Sequence, residues 1–469
     1  MTRLGDVCEK IGSGATPRGG KEAYKDAGIP IIRSQNIHDW VFQPDGLAFL
    51  DDEQAESLSN VEVRSNDVLL NITGDSVARA CIVPSECIPA RVNQHVAIVR
   101  AGKEINPTYL LASLQSKKTM LLSLASSGAT RNALTKRMIE NLDIDLPSRE
   151  IQDSIAQVLD SIQYKITLNN RLNDYLEQLV DGKFQELFGG LNFNATLSDV
   201  AEITMGQSPA GSSYNEEGAG IIFYQGRGEF GWRFPKRRLY TTEPKRLACE
   251  GDVLMSVRAP VGDLNVAFEN CCIGRGLAAI HSETPSFALY LMRFLKPQLE
   301  AYNGEGTVFG SINGKALKSL EVALPSHNEV MQFESFAAPI DALIRSNENE
   351  TRKLNNLRNY LLPKLMSGEI DVSKVDLTQL TNNHLAGRMH WSNVIRVRAI
   401  HAVHSQQSQI PAYESVPKVS HSPCRTALTL GGIAPLLSWL AVSQFTAQSF
   451  AMLVVFCQVV LCGVSSELS

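Results

Sequence analysis

The chain has 469 residues, a mass of 51.4 kDa and a formal net charge of −5, with 44% hydrophobic and 20% charged residues. This length is too great for one ordinary hydrophobic core, so we expect two or more globular domains. The 9 cysteines include no C-x-x-C pair, which argues against a zinc site, whereas the small net charge does not exclude a local basic surface.

The first segment, residues 1–146, is predicted to be a mixed α/β domain. Its amino terminus has no apolar signal region, and its scattered cysteines suit reduced thiols, so we expect a cytoplasmic protein. Short apolar runs at 28–33, 67–72 and 96–99 are typical of buried strands. Pro107 opens a further run and predicts a helix, because proline is favoured in a first helical turn.

Residues 147–190 are predicted to form one long helix, since apolar residues recur every three or four positions. A second copy, residues 325–368, follows at a constant offset, and Leu-Pro-Ser marks the start of each. Both seven-residue apolar ladders are interrupted at the same position, by Asn169 and by Asn347. We predict a coiled-coil pair whose register these two buried amides fix. The alternative is two unrelated amphipathic helices, each with an asparagine by chance.

Residues 191–324 repeat the order of the first segment. The run at 29–35 returns at 221–227, and the Asp-Val-Leu of 67–69 returns at 252–254. A unit of one globular domain and one long helix is therefore used twice. The predicted fold is mixed α/β (α+β), with two similar domains, two long antiparallel helices and a pseudo-twofold internal repeat.

The stretch 226–246 has no close relative in the first half and mixes basic with aromatic residues. Its members are Arg227, Arg233, Lys236, Arg237, Arg238, Lys245 and Arg246 together with Phe230, Trp232, Phe234 and Tyr240. Such a mixture is suited to contacts with DNA phosphates and base edges. The alternative is a solvated loop whose aromatic side chains lie in the core.

The tail, residues 369–469, differs in composition from everything before it. No charged residue occurs from 426 to 466. The nearly apolar stretch 449–464 is shorter than the about 20 residues that a membrane helix needs. We expect a disordered or non-native extension, with a membrane anchor as the alternative.

These features resemble the specificity subunit of type I restriction-modification systems, over about residues 1–375. The most specific motifs are Ile222-Phe223-Tyr224-Gln225-Gly226, the turn at 126–130, the doubled Leu-Pro-Ser and the ending at 361–370. The resemblance implies two target recognition domains, each reading one half of a bipartite, asymmetric DNA target in the major groove, while the helices set the unread gap. A helix of roughly 36 residues is about 54 Å long, enough to hold two readers one to one and a half DNA turns apart.

The resemblance also implies partners and cofactors. Double-stranded DNA, two modification subunits that bind S-adenosylmethionine and methylate adenine, and motor-nuclease restriction subunits that use ATP and Mg²⁺ are expected; no cofactor, catalysis or membrane partner is expected for this chain. The run 310–316 is one residue short of a phosphate-binding loop and ends in alanine. The rival classes are a stand-alone methyltransferase or nuclease, and a coiled-coil scaffold held at a membrane by the tail.

The predicted DNA contacts lie at strand ends and in basic loops. Arg33 and Gln35 align with Gln225 and Arg227 where a strand ends, and arginine pairs with guanine as glutamine pairs with adenine. The other candidates are Asn36, Thr130, Arg131 and Lys136 in the first domain and Arg233, Lys236 and Arg237 in the second. Each could form a surface salt bridge instead. The prediction therefore concerns the loops more than any single residue.

Overall fold

Two long helices run through the computed structural model, which describes residues 1–126, 132–304 and 310–372. All of these residues belong to one compact unit, Met1–Asn382. The predicted contacts Thr130 and Arg131 lie outside the described residues. So does the predicted tail beyond residue 372.

Short strands and helices build each half of the chain, and one long helix ends it. The first half contains, in chain order, β1 (Thr2–Arg3), α1 (Leu4–Val7), β2 (Cys8–Ser13), β3 (Ile29–Ile32), β4 (Ala48–Leu50), α2 (Asp52–Ser57), β5 (Glu62–Val63), β6 (Val68–Asn71), β7 (Ala80–Ile82), β8 (Ala90–Val92), β9 (Val96–Ala101), α3 (Pro107–Ser116), α4 (Lys118–Ser126), α5 (Lys136–Glu140), β10 (Asp143–Ile144) and α6 (Arg149–Phe188). The second half contains β11 (Ala195–Thr196), α7 (Leu197–Val200), β12 (Glu202–Met205), β13 (Tyr214–Asn215), β14 (Ile221–Tyr224), β15 (Leu239–Thr241), β16 (Leu247–Ala248), β17 (Val253–Ser256), β18 (Leu264–Val266), β19 (Cys271–Ile273), β20 (Leu277–His281), α8 (Pro285–Phe294), α9 (Lys296–Glu300), α10 (Gly314–Lys318), β21 (Glu321–Val322) and α11 (His327–Met366).

Each domain carries two main sheets. Their strand orders are β2-β9-β6-β7 and β4-β3-β8-β5 in the first domain, and β12-β20-β17-β18 and β13-β15-β14-β19-β16 in the second. Within these sheets β3 pairs parallel with β8, and β14 pairs parallel with β19. The predicted strands of the first segment correspond to β3, β6 and β9, and Pro107 begins α3 as expected.

The helices α6 and α11 are antiparallel and related by the internal repeat. Each has 40 residues, about 60 Å at 1.5 Å per residue, and both boundaries of α11 lie 178 residues beyond those of α6 (149 to 327 and 188 to 366). Their direction follows from contacts across the pair, because Gln163 meets Arg358 whereas Asn173 meets Asn347. Neither helix, nor any other in the described part of the chain, is long and apolar enough to span a membrane.

A polar layer interrupts the seam between the two helices. Asn169, Asn173, Asn347 and Thr351 are only 1–9% exposed. Asn347 donates from Nδ2 to Asn173 Oδ1 at 2.8 Å, and Asn169 donates to Glu350 Oε2 at 2.9 Å. The repeat relates Asn169 to Asn347 and Asn173 to Thr351, so the layer has an approximate twofold axis. The sequence indicated two of its four members, and their effect on register stays a prediction.

The core of each domain continues into one end of the helix pair. Ile155 of α6 and Leu362 of α11 belong to the buried cluster of the first domain. In the second domain, Phe184 of α6 and Phe333 of α11 have ring centroids 5.3 Å apart and pack with Phe287 of α8. Burying one such side chain contributes roughly 1.5–3 kcal/mol. A domain therefore cannot turn about the helices without opening its own core.

Candidate functional site

Three loop segments meet at one place in each domain, which we call the loop junction. They are the glycine-containing loop after the first sheet strand, the residues that follow a buried strand, and a turn between two further strands. The segments are 14–17, 33–36 and 93–95 in the first domain, and 206–209, 225–227 and 274–276 in the second.

The glycine-containing loop is hydrogen-bonded in the same way in both domains to the last strand residue before the turn. Ala15 N–H donates to Val92 O at 3.0 Å, and Gln207 N–H donates to Ile273 O at 3.0 Å. A Cβ atom at Gly206 would lie 2.2 Å from a backbone oxygen of the turn. The close approach of the two backbones therefore requires glycine there.

The end of the buried strand is held to the same turn. Asn93 N–H donates to Ile32 O at 3.0 Å, and Gly274 N–H donates to Tyr224 O at 2.8 Å. The side chains that follow Ile32 and Tyr224 consequently leave the two domains from equivalent positions, in agreement with the alignment of the two sequences.

A fourth segment, the loop after β6 or β17, closes the junction. Ile72 N–H donates to His95 O at 3.0 Å, and Val257 N–H donates to Gly276 O at 3.0 Å. In each domain, backbone atoms of this loop also form hydrogen bonds with the residues that directly follow a segment outside the described residues. The predicted contacts at 130–131 belong to the first of these stretches.

The predicted contacts of the first junction have different environments. Asn36 is 0% exposed, and its side chain accepts from Arg33 N–H at 3.0 Å and donates to Gln43 O at 2.9 Å. It shapes the loop, which argues against the predicted DNA contact. Arg33 is half-buried and donates from Nη2 to Gly46 O at 2.5 Å, whereas Gln35 is exposed beside it.

Exposed polar side chains line the second junction. Gln225 is exposed, and so is Arg227, whose Nε lies 2.5 Å from Asp263 Oδ2. Sequence reasoning missed Ser208 and Arg275, although Arg275 N–H donates to Ser208 Oγ at 3.2 Å. The available signal was the Gly-Arg-Gly turn, which places a single side chain between two glycines.

An open basic cleft of about 790 Å³ adjoins the second junction. Arg246, Lys315 and Lys318 line it, and both lysines lie on α10. The equivalent helix of the first domain, α5, begins at the predicted contact Lys136, which is exposed and lies 3.4 Å from Glu140. Exposed cations beside a junction suit phosphate contacts that position a protein on DNA.

Arg233 is buried where the second domain meets both helices. Its side chain is 4% exposed, with Nη1 3.1 Å from Asp341 Oδ1, and with Nη2 3.3 Å from Glu177 Oε1 and 3.0 Å from the Tyr290 hydroxyl. Burial alone lowers the pKa of a guanidinium, but Tyr290, Asp341 and Glu177 outweigh it and hold the pKa of Arg233 above its usual value. This position argues against the predicted DNA contact, because the guanidinium links the domain to α6 and α11.

The rest of the basic loop divides between surface and core. Lys236 and Arg237 are exposed, and Arg237 lies 2.6 Å from Glu269, whereas no ion pair of the described residues includes Lys236. Phe234 is buried. Trp232 is 43% exposed, so the loop follows the alternative interpretation only in part, with one aromatic ring in the core and another in solvent.

A buried aspartate pairs with a cation in each domain. Asp67 Oδ1 lies 2.8 Å from Arg100 Nε, and Asp252 Oδ1 lies 2.6 Å from His281 Nδ1. Cys249 comes close enough to form a group with metal-ligand chemistry, with ligand atoms within 4.8 Å. Its backbone N–H already donates to Asp252 Oδ2 at 2.7 Å. We therefore interpret this group as the counterpart of the ion pair in the first domain.

The pair of His281 with Asp252 predicts pH-dependent stability. The hydrogen bond and charge of Asp252 raise the pKa of His281 above 6.5. Because the folded pKa exceeds the unfolded one, the pair stabilises fully below the unfolded pKa, and this contribution is lost as pH rises through the folded pKa. We expect His281→Gln to lower the urea midpoint at about pH 6 and much less at about pH 8, whereas His281→Arg should keep its pairing at both. Equal losses for His281→Gln at both pH values would contradict this.

The family model of the type I restriction modification DNA specificity domain matches residues 1–178 and 194–359. Each range spans one domain and most of the long helix that follows it. The chain belongs to this family. It is a DNA-recognition subunit of a type I restriction-modification system, a non-catalytic role, and the scaffold interpretation has no support.

The relatives align with this chain over nearly their whole length. A candidate specificity subunit of the type I restriction enzyme MjaX from Methanocaldococcus jannaschii is 29% identical over 401 residues, covering 79% of this chain and 93% of that protein. The MjaVIII specificity subunit of the same organism is 21% identical over 414 residues, with 80% and 94% covered. The crystal structure of the S subunit from M. genitalium shares the fold, with a TM-score of 0.50, 14% identity and 78% and 95% coverage.

Proposed function

We propose that the two loop junctions read DNA bases, each contacting one half of a bipartite, asymmetric target. The proposal rests on one observation. The two junctions have equivalent backbone hydrogen bonds but carry different polar side chains. Arg33 and Gln35 follow the strand in the first domain, whereas Gln225 and Arg227 follow it in the second. Arginine suits guanine and glutamine suits adenine, so the order of the two preferences is reversed between the domains.

The helix pair sets the distance between the two readers. Both domain cores continue into the helices, and each helix is about 60 Å long. One DNA turn is about 34–36 Å, so this length is enough to hold the two readers one to one and a half DNA turns apart. The approximate twofold axis of the polar layer matches the relation between the two strands of a duplex.

Membership of the family supports a proposal about the partners. We propose that two modification subunits dock on this chain and supply S-adenosylmethionine-dependent adenine methylation, and that restriction subunits supply ATP- and Mg²⁺-dependent cleavage. The complex would then work in the cytoplasm, where its DNA substrate lies. The predicted contacts Lys136, Lys236 and Arg237 remain candidates for phosphate binding.

Gel shifts with the chain and its modification subunits test this proposal. Gln225→Ala together with Arg227→Ala is expected to remove base preference from one half-site, since each good side chain–base pair is worth roughly 1–3 kcal/mol of discrimination. Lys315→Ala should weaken binding to all sequences and lower the salt slope by about one. Lys353→Ala, an exposed lysine in the middle of α11, is the control for the lysine variant. Unchanged base preference in the double variant would contradict the proposal.

A further inference from the structure

The turn in each loop junction exposes its central side chain. In the second domain the turn is Gly274–Gly276, where Arg275 is exposed while Gly274 is buried. In the first domain it is Asn93–His95, where Gln94 is exposed while Asn93 is buried. The hydrogen bonds described above place these two turns at equivalent positions in the two junctions.

The residues on either side of the central position build the turn. A Cβ atom at Gly274 or Gly276 would lie 2.7 or 2.9 Å from Gln225 O, so a side chain at either position would push the turn off the strand end. In the first domain, Asn93 Oδ1 accepts from His95 N–H at 3.1 Å. The flanking positions are therefore constrained by the fold, and the central residue is free to vary.

The side chain of Arg275 is available for a ligand. No ion pair of the described residues includes it, whereas the neighbouring Arg227 and Arg237 are paired with Asp263 and Glu269. Its closest polar side-chain contact is a hydroxyl, at 3.5 Å from Nε. Within the described part of the chain, the Gln94 side chain likewise makes one polar contact, a long one of 3.4 Å with the neighbouring imidazole.

We propose that Gln94 and Arg275 occupy one specificity-determining position that the chain uses twice. The inference rests on the proposed function and extends it to residues that the alignment of strand ends did not include. A guanidinium donates to O6 and N7 of guanine, and a carboxamide pairs with N6 and N7 of adenine. Arg275 contacts a guanine in the second half-site, and Gln94 contacts an adenine in the first.

Reciprocal substitutions test this position. The chain carrying Arg275→Gln or Gln94→Arg is purified with its modification subunits, and bound duplexes are selected from a random library and sequenced. We expect Arg275→Gln to lose a guanine preference at one position of one half-site, by roughly fivefold to 150-fold. The other half-site and the unread gap should stay unchanged. Gln94→Arg should act only on the opposite half-site.

Two further variants separate a base contact from a phosphate contact and from misfolding. Arg275→Lys keeps the charge but cannot make the two parallel hydrogen bonds to guanine, so it should also lose the preference. Arg64→Gln, the same change at a 61% exposed arginine of the first domain, is the matched control. If Arg275→Gln weakened binding to all DNA sequences equally and Arg275→Lys restored that binding, the inference would be overturned.

The outcomes also distinguish this inference from the proposed function. If the Gln225 and Arg227 variant alters base preference but the Arg275 and Gln94 variants do not, the turn is not a reading position although the junction is. If none of the four substitutions alters base preference, the junction itself is not the reading surface, and both proposals fail.

Discussion

Replacing Arg233 with methionine is expected to destabilise the second domain by about 3–5 kcal/mol, the usual cost of removing one partner from a buried ion pair. The change leaves Glu177 and Asp341 without the cation that joins them across the two helices. Burial already raises the pKa of Glu177 despite the nearby Arg293 and Arg233, so its carboxylate would become still harder to keep charged. Urea unfolding followed by circular dichroism measures the loss.

Arg171→Met is the matched control for this prediction. Its side chain is 61% exposed and pairs with Glu86, which is 59% exposed, and such a surface ion pair contributes at most about 1 kcal/mol. Adding Asp341→Asn to Arg233→Met should recover part of the lost stability, because it removes one of the stranded charges. Equal urea midpoints for the Arg233 and Arg171 variants would show that the buried guanidinium does not hold the domain to the helices.

Exchanging residues 1–146 for the corresponding domain of a relative is expected to change one half of the methylated DNA sequence completely and to leave the unread gap as it was. The first domain holds one loop junction, while the helices that separate the junctions stay the same. The donor domain needs to keep the contacts that seat it on the helices. Examples are Trp40, whose ring lies 5.2 Å from the Arg358 guanidinium, and Asn106, which donates to Asp153 at 2.7 Å.

Sequencing methylated adenines in cells that carry the exchanged chain and its modification subunits measures this outcome. The matched experiment exchanges residues 191–324 and should alter only the other half of the target. A changed gap with both half-sites unchanged would contradict the assignment of reading to the domains and of spacing to the helices.

The long helices were predictable because their signal is local and occurs twice. The predicted ranges 147–190 and 325–368 begin and end within two residues of α6 and α11. The polar layer was only half predictable. Asn173 and Thr351 resemble solvent-facing positions in the sequence, and only the facing helix shows that they are buried.

The surroundings of single residues were less predictable, because their partners lie far away along the chain. Arg233 stands among basic and aromatic neighbours, a pattern that favours a DNA contact, yet its partner Asp341 is 108 residues away. Ser208 and Arg275 are 67 residues apart. The equivalence of the two strand ends was predictable, since a buried strand followed by polar residues is a local pattern. The turn that completes each junction had a local signal only in the second domain, where Gly274 and Gly276 flank Arg275.

Two separate copies of the first half are expected to pair through the same helix positions as the polar layer of the intact chain. Asn169 faces Thr351 and Asn173 faces Asn347, and the 178-residue displacement makes these the same two positions of the repeat. A homodimer of half-length chains would thus place Asn169 of one copy opposite Asn173 of the other. Such a dimer, with identical heads, would recognise a palindrome. Joining the two units in one chain lets the two heads differ, so the target need not be symmetric.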